Sequence, residues 1–168
     1  YKRPVELGDD NTSMKAVLSD FSKYLINKKE KFDAIVVLYP TNPLRTTKFI
    51  NEFIDQFNLS GGDLPFISVR KPGTHPFLCY KRNNNGTLKK LLHFDENKFY
   101  RRQQYPDYYR LAGGNFIIPI RYIDEINAQL FCNISYSYII PDDIPYVDVD
   151  TIADFKYAEF LLSTTSNY

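Results

Sequence analysis

Ala34-Ile35-Val36-Val37-Leu38-Tyr39-Pro40-Thr41-Asn42-Pro43 is the stretch that decides the fold. Its first five residues are continuously apolar and three of them are β-branched, which is how a strand covered on both faces reads. Two prolines then end it, because neither can donate to a strand ladder. Upstream, Met14, Val17, Leu18, Phe21, Tyr24 and Leu25 recur at helical spacing and predict a helix over 12–27. Asn11, Thr12 or Ser13 can cap it, and Lys28, Lys29 and Lys31 sit where the helix dipole favours cations. Downstream, Phe49, Ile50, Phe53, Ile54 and Phe57 mark a second helix over about 46–57. Ser60-Gly61-Gly62-Asp63 closes that unit, and Phe66-Ile67-Ser68-Val69 is the next strand. Helix, strand, helix, strand is an α/β alternation, and it predicts a layered fold with parallel strands.

Farther out the pattern loosens. The segments 77–82 and 87–92 flank Asn83-Asn84-Asn85-Gly86, a turn signal that predicts a hairpin. Residues 93–111 are polar and aromatic without a clear period. Strands are predicted at 115–120 and 135–140, with a short helix at 122–127 between them. A last strand is predicted at 146–149, then a helix to Leu162, opened by Asp150 or Thr151. Thr151 and Asp154 have capping-box spacing. The tail over 163–168 is expected to fray.

The chain has 168 residues, a size that suits one domain. Hydrophobic residues make up 43% and charged residues 24%, ordinary globular usage that excludes a disordered chain. The formal net charge of +1 argues against a general nucleic-acid binder, which carries a basic excess. No apolar run approaches the ~20 residues that span a bilayer, and no signal peptide is visible. The two cysteines, Cys79 and Cys132, make neither a disulfide framework nor a zinc cluster, so a cytoplasmic setting is expected. The 14 Tyr and 13 Phe are many for a chain without Trp, and point to an interface, a polar-lined cleft or an aromatic core.

Three groups of residues have the composition of a site. Asp148 and Asp150 lie two apart in the predicted last strand, so both carboxylates would face one side. Such a pair suits Mg²⁺, which takes one or two carboxylates plus substrate phosphates. It also suits a capping Asp150 beside a solvated Asp148. The loop Tyr39-Pro40-Thr41-Asn42-Pro43-Leu44-Arg45 follows a strand end, where open α/β sheets bind ligands. Its prolines present Thr41, Asn42 and Arg45 at little ordering cost, unless it is only a stiff turn that caps the next helix. Arg101-Arg102-Gln103-Gln104 is dense in donors for phosphate or carboxylate, or is a solvated loop. His75 and His93 have no partner at metal-ligand spacing.

These pieces, in this order, resemble the acylneuraminate cytidylyltransferase family, the CMP-sialic acid synthetases and their relatives. The matching blocks are Arg3-Pro4-Val5-Glu6-Leu7 with Asp10, then Tyr39 to Arg45, then Ser68-Val69 with His75-Pro76. They continue with Arg102-Gln103-Gln104-Tyr105-Pro106 leading into Gly113, and end with Val147-Asp148-Val149-Asp150-Thr151, Asp154-Phe155 and Ala158-Glu159. The resemblance implies a three-layer, Rossmann-like, mostly parallel nucleotidyltransferase sheet. Residues 1–168 would form one partial domain, with a hairpin dimerisation insertion at about 76–140. It implies transfer from CTP to the anomeric hydroxyl of an acidic nine-carbon sugar, giving a CMP-sugar and pyrophosphate. It further implies Mg²⁺ held by Asp148 and Asp150, the cytosine near Arg3, Thr12 and Ser13, and Arg102 and Gln103 near the sugar and a homodimer contact. Neither nucleic acid nor membrane is an expected partner. The family begins with a Gly/Arg/Lys-rich loop that cradles the triphosphate, and this sequence starts after it. The expectations are therefore a CTP-using enzyme for the longer parent, or a dimerising, ligand-binding piece for this stretch alone. Tyr39 stands where the family usually has Gln, and Ala112 where it has Asn, which leaves room for a related acidic sugar in place of N-acetylneuraminate.

Overall fold

The computed structural model describes residues 1–164. Ser13 starts the first helix: its Oγ accepts from the Ala16 backbone N–H at 3.3 Å and so satisfies one of the donors a helix start leaves open. Helix α1 is Met14–Asn27. Strand β1 is Ala34–Leu38, with the bounds of its apolar run. Thr46 caps α2, Thr47–Leu59, accepting from the Phe49 N–H at 3.1 Å. Strand β2 is Phe66–Arg70. A small hairpin pairs β3, Tyr80–Arg82, with β4, Leu88–Lys90. The ten-residue β5, Arg110–Pro119, and the short β6, Tyr136–Ile139, complete the strands. Helix α3, Ile152–Thr164, ends the described chain. The fraying expected at 165–168 lies outside the described residues, while Ser163 and Thr164 are helical.

The main sheet has the order β1-β5-β2-β6. Strand β5 is antiparallel to both its neighbours, and only β2 and β6 pair in parallel. The mostly parallel sheet is thus a mixed one. Strands β1 and β2 do run the same way, but β5 has inserted between them. The physical reason is burial. Phe116, Ile117 and Ile118 of β5 are 5%, 1% and 0% exposed, as a strand covered on both faces must be, whereas Val36 of β1 is 39% exposed at the sheet edge. One apolar cluster lies on each face. Leu18 of α1 packs with Ile35, Val37, Phe116 and Ile118, and Phe49, Phe53 and Phe57 of α2 pack with Phe66 and Ile117.

The β2–β5 ladder contains a large bulge. Between the pairs Ile67↔Phe116 and Val69↔Leu111, a single β2 residue, Ser68, faces four residues of β5, 112–115. Ser68 stitches the bulge shut. Its hydroxyl donates to the Ala112 carbonyl at 2.8 Å and accepts from Asn115 Nδ2 at 3.1 Å. Both Ser68 and Asn115 are fully buried.

Three expectations need correction. The helix over 122–127 is a 3-10 turn at Ile120–Tyr122 followed by tight turns. There the Asn127 side chain accepts from the N–H groups of Gln129 and Phe131, and this competing cap turns the chain instead. The strand over 146–149 does not join the sheet. Pro141 and Pro145 precede it, and the chain meets the proline loop after β1, which offers no ladder to extend. Finally, the segment between β2 and β5, whose few periodic apolar positions predict no core of its own, does make one. Phe77, 5% exposed, stacks on Phe94 at 3.9 Å between centroids and is ringed by His75, Phe99, Tyr105 and Tyr108. The aromatic excess is therefore partly absorbed within the chain. Among the described residues, no helix is long and apolar enough to cross a membrane.

Candidate functional site

The bulge in β5 pushes Gly113 and Gly114 towards two loops: Gly114 has no room for a side chain, and one on Gly113 would have to displace the Asp148 carboxylate. A Cβ on Gly114 would lie 2.8 Å from the Tyr39 Cβ, and its φ of +93° is one that L side chains rarely adopt. A Cβ on Gly113 would lie 2.6 Å from the Asp148 Oδ2. Hydrogen bonds fasten the same junction. The Tyr39 N–H donates to the Gly114 carbonyl at 2.8 Å, and the Tyr146 hydroxyl donates to the Gly113 carbonyl at 3.1 Å. The Val149 N–H donates to the Thr41 carbonyl at 2.8 Å. The loop after β1, the β5 bulge and the segment before α3 therefore meet at one place.

Arg45 locks this junction from below. Its guanidinium donates to the Tyr39 carbonyl at 2.6 Å, the Gly114 carbonyl at 3.3 Å and the Asn115 Oδ1 at 3.2 Å. Burial pushes its pKa down, with nearby Tyr146 acting the other way, yet an arginine stays charged throughout. The chain Ser68–Asn115–Arg45, buried at its first two members and half-buried at Arg45, is thus a polar relay that holds the bulge and the proline loop together. Arg45 commits these donors to protein oxygens.

Asp148 is half-buried and rests its carboxylate against bare Gly113 backbone, while Asp150 is exposed at the head of α3. Asp150 is not a helix cap. Asp154 supplies the box: its Oδ2 accepts from the Thr151 N–H at 2.8 Å, the Thr151 hydroxyl at 2.7 Å and the Asp150 N–H at 3.3 Å. In return, the Asp154 N–H donates to the Thr151 Oγ1 at 3.3 Å. The Thr151 hydroxyl and N–H hold the Asp154 pKa below the ordinary carboxylate range. This leaves the carboxylates of Asp148 and Asp150 uncommitted to capping. No cluster of three or more acidic, His or Cys side chains that could cage a metal exists among the described residues. Two carboxylates fit Mg²⁺ only in the manner in which it completes its shell with water and phosphate oxygens.

Beside Asp148, two arginines flank a tyrosine. Arg70 and Arg110 each place their guanidinium carbon 5.5 Å from the Tyr146 ring centroid. Burial, then Asp148, raises the Tyr146 pKa, against a lowering from Arg110 and Arg70, so its hydroxyl keeps the proton it donates to Gly113. On the far side of the proline loop, a cleft of about 430 Å³ is lined by Pro40, Thr41, Pro43, Val149 and the α3 residues Phe155, Ala158, Glu159 and Leu162.

The other sequence candidates are more scattered. Asn42 is buried, 3% exposed, in the turn closed by its N–H to the Tyr39 carbonyl at 3.3 Å. Tyr39 packs on Phe116, and burial raises its pKa. Ser13 is the α1 cap, Arg3 bonds the Leu7 carbonyl, and the Thr12 hydroxyl reaches the Glu6 carbonyl at 3.5 Å. No hydrogen bond or ion pair joins these three to Asp148 or Asp150. Arg102 and Gln103 form an exposed 3-10 turn, Arg102–Gln104, outside the sheet. Sequence reading missed Tyr146, Arg70 and Arg110 as site residues, and also the role of Gly114. The Gly113-Gly114 pair was the available signal, since paired glycines in a strand mark a bulge or a close approach.

No family model matches the chain. It is similar to a CMP-N,N'-diacetyllegionaminic acid synthase of Legionella pneumophila subsp. pneumophila (strain Philadelphia 1), 24% identical over 131 residues. Those residues are 78% of this chain and 54% of the relative, so the chain spans about half the length of the curated relative it matches. This relative bears out the resemblance to the acylneuraminate cytidylyltransferases. Like the sequence blocks, it places the similarity in a class of enzymes that makes a CMP-linked acidic sugar.

Proposed function

We propose that this chain is the part of a cytidylyltransferase that binds an acidic nine-carbon sugar and presents metal-binding carboxylates to CTP. The observation that carries the reading is the junction at Gly113, where the Asp148 carboxylate, the proline loop and the β5 bulge meet. A sequence relative that makes a CMP-linked acidic sugar supports it. In the reaction, the anomeric hydroxyl oxygen of the sugar bonds to the α-phosphorus of CTP. The bond from that phosphorus to the bridging oxygen breaks, and pyrophosphate leaves with the electron pair while the hydroxyl proton passes to solvent water. Asp148 and Asp150 would hold Mg²⁺, which offsets charge on the phosphates. Gly113 keeps the space under Asp148 free of side chain, and Val149 ties the acid pair to Thr41. Asp154 keeps the head of α3 capped without using Asp150. The Ser68–Asn115–Arg45 relay holds the whole junction rigid, so little reorganisation is left to the moment of reaction.

The same reading places the enzyme in the cytoplasm, in keeping with its two free cysteines, and makes it a homodimer through the 76–140 region. Tyr80, Leu88, Leu91, Tyr100 and Tyr109, all exposed there, supply the surface.

The test is pyrophosphate release by the enzyme in its full natural length, with CTP, Mg²⁺ and a panel of acidic nine-carbon sugars. At least one sugar should be turned over. Asp148→Asn and Asp150→Asn should each reduce the rate by about 100-fold or more while circular dichroism stays unchanged. Ordinary turnover in either variant, or no turnover with any sugar, would remove the assignment.

A further inference from the structure

Arg70 and Arg110 occupy directly opposed positions on β2 and β5. Like charges facing each other across an antiparallel pair are destabilising. Neither guanidinium forms an ion pair with a carboxylate among the described residues. Their hydrogen bonds to backbone are long: Arg70 to the carbonyls of Ile144 at 3.3 Å and Asp142 at 3.4 Å, and Arg110 to the Leu111 carbonyl at 3.3 Å, with Arg110 also hydrogen-bonded to the Tyr146 hydroxyl. Arg45 makes one more hydrogen bond than either, to the Tyr39 and Gly114 carbonyls and the Asn115 Oδ1. The ring of Tyr146 gives both arginines a face to lie on and fixes where their forks sit, and the hydroxyl of the same tyrosine lies over Gly113, which the Asp148 carboxylate also abuts. Two positioned forks with spare donors, held together against their mutual repulsion, match a planar or tetrahedral oxyanion in charge and in geometry.

We propose that Arg70 and Arg110, aligned by Tyr146, form an anion subsite beside Asp148 that takes the carboxylate of the acidic substrate or a phosphate of the nucleotide. The subsite stands on the opposed arginines alone. Which molecule brings the oxyanion rests on the function proposed above. A bound oxyanion would relieve the repulsion that the cross-strand register imposes, and the arginine forks would then set the orientation of the ligand relative to the Asp148 carboxylate.

Calorimetric titration of the full-length protein separates the sources. The probes are N-acetylneuraminate, its C1 methyl ester, and CTP. The double variant Arg70→Gln/Arg110→Gln should weaken one charged probe by about 10-fold or more. If the carboxylate is the ligand, N-acetylneuraminate is the probe affected and its ester already binds weakly to the wild type. If phosphate is the ligand, CTP is affected and the sugar is not. The Tm of the ligand-free double variant should equal or exceed that of the wild type, because the repulsion has been removed. A purely structural pair would lower Tm instead. Unchanged affinity for both charged probes, or lost affinity accompanied by a fall in Tm, would overturn the subsite. Turnover of CTP with unchanged KM values in the double variant would remove the subsite and leave the function standing. Arginine-dependent binding without turnover of any sugar would do the reverse.

Discussion

Helices α2 and α3 are each thirteen residues long and each carries several aromatic or large aliphatic side chains. They use them differently. Helix α2 buries Phe49, Phe53 and Phe57 on one stripe, and these rings meet Phe66 and Tyr138 across the sheet surface. Helix α3 buries only Ala158, while Ile152, Phe155, Tyr157, Phe160 and Leu162 are all more than half exposed. Apolar content therefore does not tell what a helix contributes. Periodic placement made α2 a wall of the core. Helix α3 serves through its first turn, where Thr151 and Asp154 fix the end of the segment that carries Asp148 and Asp150.

That contrast can be broken most easily by truncating one ring on each helix. Phe53 is 0% exposed, so Phe53→Ala should cost about 3–5 kcal/mol in urea-induced unfolding. Phe160 is 59% exposed, and Phe160→Ala should stay within about 0.5 kcal/mol. Equal losses would mean that α3 is buried in solution. A smaller effect is expected beneath α2, at the bulge. Ser68→Ala leaves the buried Asn115 amide and Ala112 carbonyl without their partner and should cost about 1–3 kcal/mol. If the same unfolding curves show Ser68→Ala to be neutral, the relay does not hold the junction.

The smallest effect sharpens the other side of the comparison. The Thr151 hydroxyl and N–H, then the Asp150 N–H, hold the Asp154 carboxyl below the ordinary carboxylate range. A depressed carboxyl pKa contributes stability that is present above the unfolded value and is lost as pH falls through the folded one. Asp154→Asn should therefore lower Tm slightly at pH 6, and the difference from the wild type should shrink as pH drops below about 4. Thermal melts from pH 6 down to pH 2.5 would show it. A difference that stays constant over that range would mean the carboxylate does not cap α3.

Much of this architecture was legible because it is local. The stripe of α2, the run of β1, the caps at Ser13 and Thr46 and the Thr151–Asp154 box depend on residues within a few positions of one another. What the sequence concealed depends on partners far along the chain. Nothing near Ala34 announces that β5, some eighty residues later, will pair beside it in the opposite direction. Val147, Asp148 and Val149 alternate like a strand, but the neighbour they meet is a proline loop. The bulge exists only relative to β2, so Ser68 reads as one more strand residue until its register with Ala112 and Asn115 is known. The site divides in the same way. Asp148, Thr41 and Gly113 come together, whereas Arg102, Gln103, Arg3 and Thr12 show no bond to the acid pair. Tyr146, Arg70 and Arg110 escaped notice because three separate segments have to be assembled before they form a group.

A centre in which an added methyl group meets the Tyr39 Cβ or displaces the Asp148 carboxylate has little freedom to drift. Gly114 is blocked by the Tyr39 Cβ and by its own φ of +93°, and a side chain on Gly113 would push the Asp148 carboxylate aside. Heritable change in what the pocket accepts must therefore enter at the rim, through Tyr39, Arg70, Arg110 or the lining of the cleft beside α3. Laboratory selection for a new sugar would do best to randomise those positions and leave the glycines untouched. Variants recovered with altered preference should carry their substitutions around the bulge and almost never on it.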